Sequence, residues 1–116
     1  MEIIETPKGS ITLFGSDTPV IRDPGSFLDL LFSTESDTIA LKKECLDPSF
    51  FDLRSGLAGE LLQKLSNYKK RLIVLGNFEN IESKSLHDFI YESNRHGVAV
   101  FTNEIEKAIG LLKRIQ

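Results

Sequence analysis

Apolar side chains recur along this chain with two spacings, and short polar breaks separate the stretches of each kind. Ile3 to Glu5 leads into a Pro7-Lys8-Gly9 turn. Ser10-Ile11-Thr12-Leu13-Phe14 then alternates polar and apolar side chains before Gly15, which predicts two short strands in a hairpin. Asp23-Pro24 offers an N-cap and a first-turn proline, and Phe27, Leu28, Leu31 and Phe32 follow at helical spacing. Thr38-Ile39-Ala40-Leu41 reads as a strand inside the sheet. A second Asp-Pro start, at Asp47, opens the approach to the longest helix, predicted at about 52–67, with Leu57, Ala58, Leu61, Leu62 and Leu65 on one face.

The second half repeats the plan. Leu72-Ile73-Val74-Leu75 is a continuous apolar run ending at Gly76, as expected of a strand covered on both faces. Ser83 caps a helix whose Leu86, Phe89 and Ile90 face inward, with Arg95 and His96 in its last turn and Gly97 in the left-handed position that ends it. Val98-Ala99-Val100-Phe101 is the next strand. Asn103 and Glu106 form a capping-box spacing ahead of a final helix striped by Ile105, Ala108, Ile109 and Leu112. Four strand-helix units therefore follow an N-terminal strand: 10–14 with 24–32, 38–42 with about 52–67, 72–76 with 83–95, and 98–102 with 104–115. Successive strands joined through helices predict an α/β fold with a mixed, largely parallel sheet of about five strands and right-handed crossovers.

Composition narrows the class. The 116 residues are 41% hydrophobic and 27% charged, which fits one globular domain spanning 1–116. Fourteen Lys and Arg oppose seventeen Asp and Glu, and apart from Lys69-Lys70-Arg71 the basic residues are scattered, so a nucleic-acid-tracking surface is disfavoured. The Lys69-Lys70-Arg71 run precedes an apolar strand and is expected to be a solvated helix-to-strand loop. Cys45 is the single cysteine and excludes an internal disulfide, which points to a reducing, cytoplasmic setting. No basic n-region followed by an apolar segment opens the chain, and no apolar run approaches a membrane span, so neither export nor membrane insertion is expected.

Gly56 and Gly59 fall in the first turns of the longest helix. A glycine in a helix interior costs about 1 kcal/mol relative to alanine, so the pair implies a close approach to the backbone. Tight packing onto the sheet is the ordinary explanation; a partner or ligand surface is the sharper one.

The order of elements resembles the STAS domain, the sulfate-transporter and anti-sigma-factor-antagonist fold. Leu53-Arg54-Ser55-Gly56-Leu57-Ala58-Gly59-Glu60-Leu61-Leu62 is similar to that family's D-S-S-G-L-G-x-L-L helix entrance. Arg71-Leu72-Ile73-Val74-Leu75-Gly76 is similar to its next strand, and Val98-Ala99-Val100-Phe101 with the following helix to its last unit. A closer resemblance, through 50–60 and Asp88-Phe89-Ile90-Tyr91-Glu92-Ser93-Asn94, is to the uncharacterised bacterial domain of unknown function 4180. The first resemblance implies a STAS-like single domain that presents its helix entrance to a protein partner. It also implies a phosphate acceptor at the first serine of D-S-S-G, but Arg54 stands there, and the preceding acid is Leu53 unless the register slips by one to Asp52. Ser55 and Gly56 match. Ser55 is thus a weak phosphorylation candidate, since phosphate in a first helical turn meets free N–H groups and the positive end of the dipole.

No constellation for chemistry emerges. His87 and His96 are the only histidines, and neither makes a metal-ligand spacing with Cys45. Gly-x-Ser-x-Gly, Gly-x-Gly-x-x-Gly and Walker loops are absent, and a Ser55-His87-Asp52 triad has no support beyond residue type. Asp47, Asp52 and Glu60 read as caps and surface charge, and Phe50-Phe51 as core. The expectation is a non-enzymatic regulatory or interaction domain without a cofactor, with Asp52, Arg54, Ser55, Gly56, Gly59 and Glu60 as its contact surface. The alternative is a small-ligand binder using a pocket at the strand C-terminal ends, above Phe50, Phe51 and Phe78. A homodimer is compatible with the chain although no recognisable seam marks one, and the partner's identity is not written in the residues.

Overall fold

A computed structural model describes residues 1–114. It contains strands β1 (Glu2–Thr6), β2 (Gly9–Leu13), β3 (Thr38–Lys42), β4 (Arg71–Leu75) and β5 (Ala99–Thr102), and helices α1 (Pro24–Leu31), α2 (Leu57–Tyr68), α3 (Lys84–His96) and α4 (Ile105–Leu111). The strands lie in the order β1-β2-β3-β4-β5, with β1 antiparallel to β2 and every other pair parallel. The fold is α/β, and each of the strand-helix units expected from the pattern is present.

Strand alternation divides the sheet into two apolar faces. Ile39, Leu41, Leu72, Val74, Ala99 and Phe101 point to the face covered by Phe27 and Leu31 of α1, Leu61 and Leu65 of α2, and Ile90 of α3. Ile11, Ala40, Ile73 and Val100 point to the other, where Ala108 of α4 and the following Leu112 lie. Sequential parallel strands with same-handed crossovers place their connecting helices on one side, whereas α4 follows the last strand and closes the opposite side. The middle strands carry apolar residues on both faces for this reason.

Three expectations need correction. The longest helix begins at Leu57 rather than near 52, because 43–45, 48–51 and 53–55 form short 3₁₀ turns. Gly56, at φ 81°, breaks the continuity of the last turn with the helix. Asn103 is not the cap of α4. Glu104 holds that position without a side-chain cap bond, and Asn103 Oδ1 accepts from Lys107 Nζ at 3.4 Å. α4 ends at Leu111, since Leu112 is extended and the Lys113 N–H donates to the Gly97 carbonyl at 3.0 Å; residue 115 of the expected helix lies outside the described residues.

The third correction concerns Arg71, which is no loop residue. It is 1% exposed, in the first position of β4, with Nε donating to Thr38 Oγ1 at 2.8 Å and its two terminal nitrogens donating to the carbonyls of Lys8 and Lys113. Sequence proximity to two lysines hid this role: the strand period turns the Arg71 side chain onto the face where the hairpin turn and the end of α4 meet.

Candidate functional site

The helix entrance is built from short polar anchors. The Asp47 carboxylate accepts from the Ser49 hydroxyl and, at 3.0 Å, from its N–H, which fixes the turn that drives Phe50 fully into the core. Those hydrogen bonds, the side-chain one foremost, hold the Asp47 carboxyl below its ordinary range. Phe50 packs edge-on against Phe51, with ring centroids 5.0 Å apart, and leans on Phe101 at 6.1 Å. Asp52 then opens the next turn, its Oδ1 accepting from the Arg54 N–H at 3.2 Å. Ser55 Oγ donates to the Ser49 carbonyl at 2.5 Å and accepts from the Leu57 N–H at 3.2 Å, so this hydroxyl ties two turns to the start of α2.

The backbone thus brings Asp52, Arg54, Ser55, Gly56, Gly59 and Glu60 together on one exposed corner. The Arg54 side chain is 95% exposed, and its ion pair with Asp52 at 3.5 Å is too open to water to contribute much stability. Tight packing does not explain the glycines. Among the described residues, a Cβ at Gly56 or Gly59 would meet no atom within 4 Å. Gly56 is needed for its positive φ, whereas Gly59 sits in an ordinary helical turn facing open space.

Two clefts open at the carboxyl ends of the parallel strands, each about 480 Å³. One, beyond β4 and β5, includes Asn77, Phe78, His87, Tyr91, Asn94 and Asn103. The other lies beside it, against Lys43, Pro48, Phe51, Phe78, Ile81 and Leu86. Phe78 separates them. Lys43 Nζ stands 5.3 Å from the Phe78 ring centre and 5.7 Å from that of Phe51, at cation–π range. The Lys43 stem comes so close to Gly76 that a Cβ there would lie 2.8 Å from Lys43 Cβ. Of the three phenylalanines expected around a ligand pocket, Phe51 and Phe78 line a cleft, while Phe50 is wholly buried and lines neither. The sequence reading missed the asparagines, because Asn77, Asn94 and Asn103 come from three separate loops and helices and form no motif.

His87 lines the first cleft and is 3.8 Å from Asp88, whose carboxyl is held low chiefly by its hydrogen bond from Lys84. The Ser55 hydroxyl is engaged with Ser49 and Leu57, and Ser55 does not line the cleft that His87 lines. His96 Nδ1 lies 2.8 Å from the Glu92 carbonyl in the last turn of α3. Cys45 is 3% exposed, and burial pushes its thiol up. Among the described residues no group of three or more His, Cys, Asp or Glu side chains could hold a metal ion, and no helix is long and apolar enough to cross a membrane.

A five-stranded, largely parallel sheet with helices on both faces defines a small α/β domain, with a polar helix entrance exposed at one corner. Residues 7–112 match the family described as "Domain of unknown function (DUF4180)", and the chain belongs to that family. No curated protein and no solved structure matches it.

Proposed function

We propose that this protein is a non-enzymatic regulatory domain of the bacterial cytoplasm, with a STAS-like plan, that presents the Asp52–Glu60 helix entrance to a protein partner. The observation that carries this reading is Gly59. It leaves α2 without a side chain at an exposed first-turn position where no described residue requires one to be absent. A glycine there weakens the helix, and a partner surface laid close against its backbone offsets that loss. Arg54, almost wholly exposed and paired only loosely to Asp52, is the charge that would fix the partner's orientation. Phosphate on Ser55 would displace its hydrogen bond to Ser49 and place negative charge beside Arg54, giving this corner a means of regulation.

Affinity capture from the native cytosol tests the proposal. The wild-type protein is expected to retain a defined partner that Arg54→Glu loses while its melting temperature is unchanged. Equal capture by wild type and Arg54→Glu would remove the helix entrance from the interface.

A second reading rests on the two clefts flanking Phe78, whose volumes fall in the small-ligand range of about 300–1,000 Å³. A metabolite bound there would raise the melting temperature of wild type and of Arg54→Glu alike. That outcome, without partner capture, selects the ligand-binding reading.

A further inference from the structure

Basic residues from two segments far apart in sequence meet at the end of the sheet opposite the helix entrance. Lys69 and Lys70, from the α2-β4 connection, Arg71, at the start of β4, and Lys113 and Arg114, beyond α4, line one cleft of about 450 Å³ with Ser66 at its wall. The chain as a whole carries a net charge of -3, so this concentration runs against its overall balance. Asp37 is the acid whose field acts on Arg71, and none of the five has a carboxylate within 4.0 Å among the described residues.

Two helices end here, and cations commonly complement helix C-termini. That need is already met by other groups. The Lys8 ammonium alone donates to the carbonyls of Ile109, Gly110 and Leu112 at the end of α4, and the backbone N–H groups of Lys69 and Lys70 take the Ser66 and Leu65 carbonyls at the end of α2. Lys70 Nζ donates to the Ser36 carbonyl at 3.0 Å and Arg114 Nη1 to the Pro7 carbonyl at 3.2 Å, so both charges rest on neutral acceptors. Arg71 is likewise held by a hydroxyl and two carbonyls, and a guanidinium has N–H groups beyond those three bonds. Lys69 and Lys113 are exposed, and among the described residues neither ammonium is in an ion pair. Like charges crowded in this way favour a bound anion, and the negative end of the α2 dipole opposes it only weakly, being confined to the last turn and screened by salt.

We propose that this cleft binds a small molecule through its phosphate group, with Lys69 and Lys113 contacting the phosphate and Lys70, Arg71 and Arg114 supplying the surrounding positive field. The volume suits a small ligand. The site lies at the far end of α2 from Gly59, about 14 Å along the helix, and does not depend on the partner reading.

Titration with inorganic pyrophosphate, followed by calorimetry and by amide chemical shifts, tests this. Saturable binding is expected, with shifts confined to residues 66–71, 98 and 113–114, weakening as salt rises. Lys69→Gln with Lys113→Gln should reduce affinity at least about tenfold at an unchanged melting temperature. Lys113→Gln alone serves if the double variant unfolds, and should still weaken binding. Absence of shifts at millimolar pyrophosphate, shifts elsewhere, or equal binding by the variants overturns the proposal. Binding of phosphatidylserine vesicles without binding of pyrophosphate overturns it too, in favour of a lipid surface.

Discussion

Asn94 sits beside Phe101 on the outer edge of β5 and makes both hydrogen bonds that a further strand would make. The Phe101 N–H donates to Asn94 Oδ1 at 2.7 Å, and Asn94 Nδ2 donates to the Phe101 carbonyl at 3.2 Å. Ser93 extends the cover, its hydroxyl donating to the Ala99 carbonyl at 2.6 Å. One helix thus closes a sheet edge that would otherwise be a template for pairing with another chain.

Replacing Asn94 by leucine removes both bonds and leaves the Phe101 backbone groups without partners. The expected loss is about 1–3 kcal/mol, read as a lower urea midpoint at unchanged slope, with increased self-association by sedimentation. An unmoved midpoint would show that water replaces the amide at no cost.

Arg71 joins β3, the hairpin turn and the chain beyond α4 through Thr38, Lys8 and Lys113. Arg71→Met is expected to cost about 3 kcal/mol or more, because Thr38 and two carbonyls lose their donor together. Arg71→Lys should recover little, since one ammonium cannot present the same planar fork. Hydrogen exchange in these variants should accelerate first at 8–10 and 112–114.

Two glycines predict opposite outcomes. Gly97 has φ 76°, and a Cβ there would lie 2.6 Å from both the Leu111 carbonyl oxygen and the Lys113 nitrogen, so Gly97→Ala should destabilise by about 2 kcal/mol or more. Gly59 has open space around it, and Gly59→Ala should stabilise by up to about 1 kcal/mol. Denaturant midpoints of the two variants check both signs, and a stabilised Gly59→Ala that loses its partner would separate binding from folding.

Acid should loosen the molecule at its caps. Asp23 accepts from the Ser26 N–H and hydroxyl, each at 2.8 Å, and Asp47 accepts from Ser49; both carboxyls are held below the ordinary value of 3.8 by these bonds. A lowered native value means the stabilisation is complete above the unfolded value and disappears as pH falls through the native one. Thermal melts should therefore fall steeply as pH drops below 3.8, and Asp23→Ala with Asp47→Ala should flatten that part of the profile.

The hydrophobic periods located the strands and helices, because an alternation of two or a stripe of three and four residues is a local property of the chain. Their boundaries held where a local signal set them: Asp23-Pro24 starts α1, Ser83 caps α3 through the Leu86 N–H at 3.2 Å, and Gly97 ends it in the left-handed conformation. The start of α2 was not legible. Asp52, Ser55 and Gly56 each satisfy a helix-start rule, and the hydrogen bond from Ser55 to Ser49, six residues back, selected a 3₁₀ turn instead. The exposed corner from Asp52 to Glu60 was readable as residues, but its open space at Gly59 was not, since emptiness around a backbone depends on everything packed elsewhere.

An α/β chain with β-α units in order is legible in the residues alone, because each element's period and caps lie within a dozen or so neighbouring residues. The fate of the charges depended on long-range packing. Arg71 was indistinguishable from Lys69 and Lys70 in a basic run, yet the strand pleat buried it against Lys8 and Lys113, 63 and 42 residues away. The same long-range closure set Lys113 and Arg114 beside that run around one cleft. Coulomb interactions follow distance in space, and no local pattern encodes which distant segments will meet.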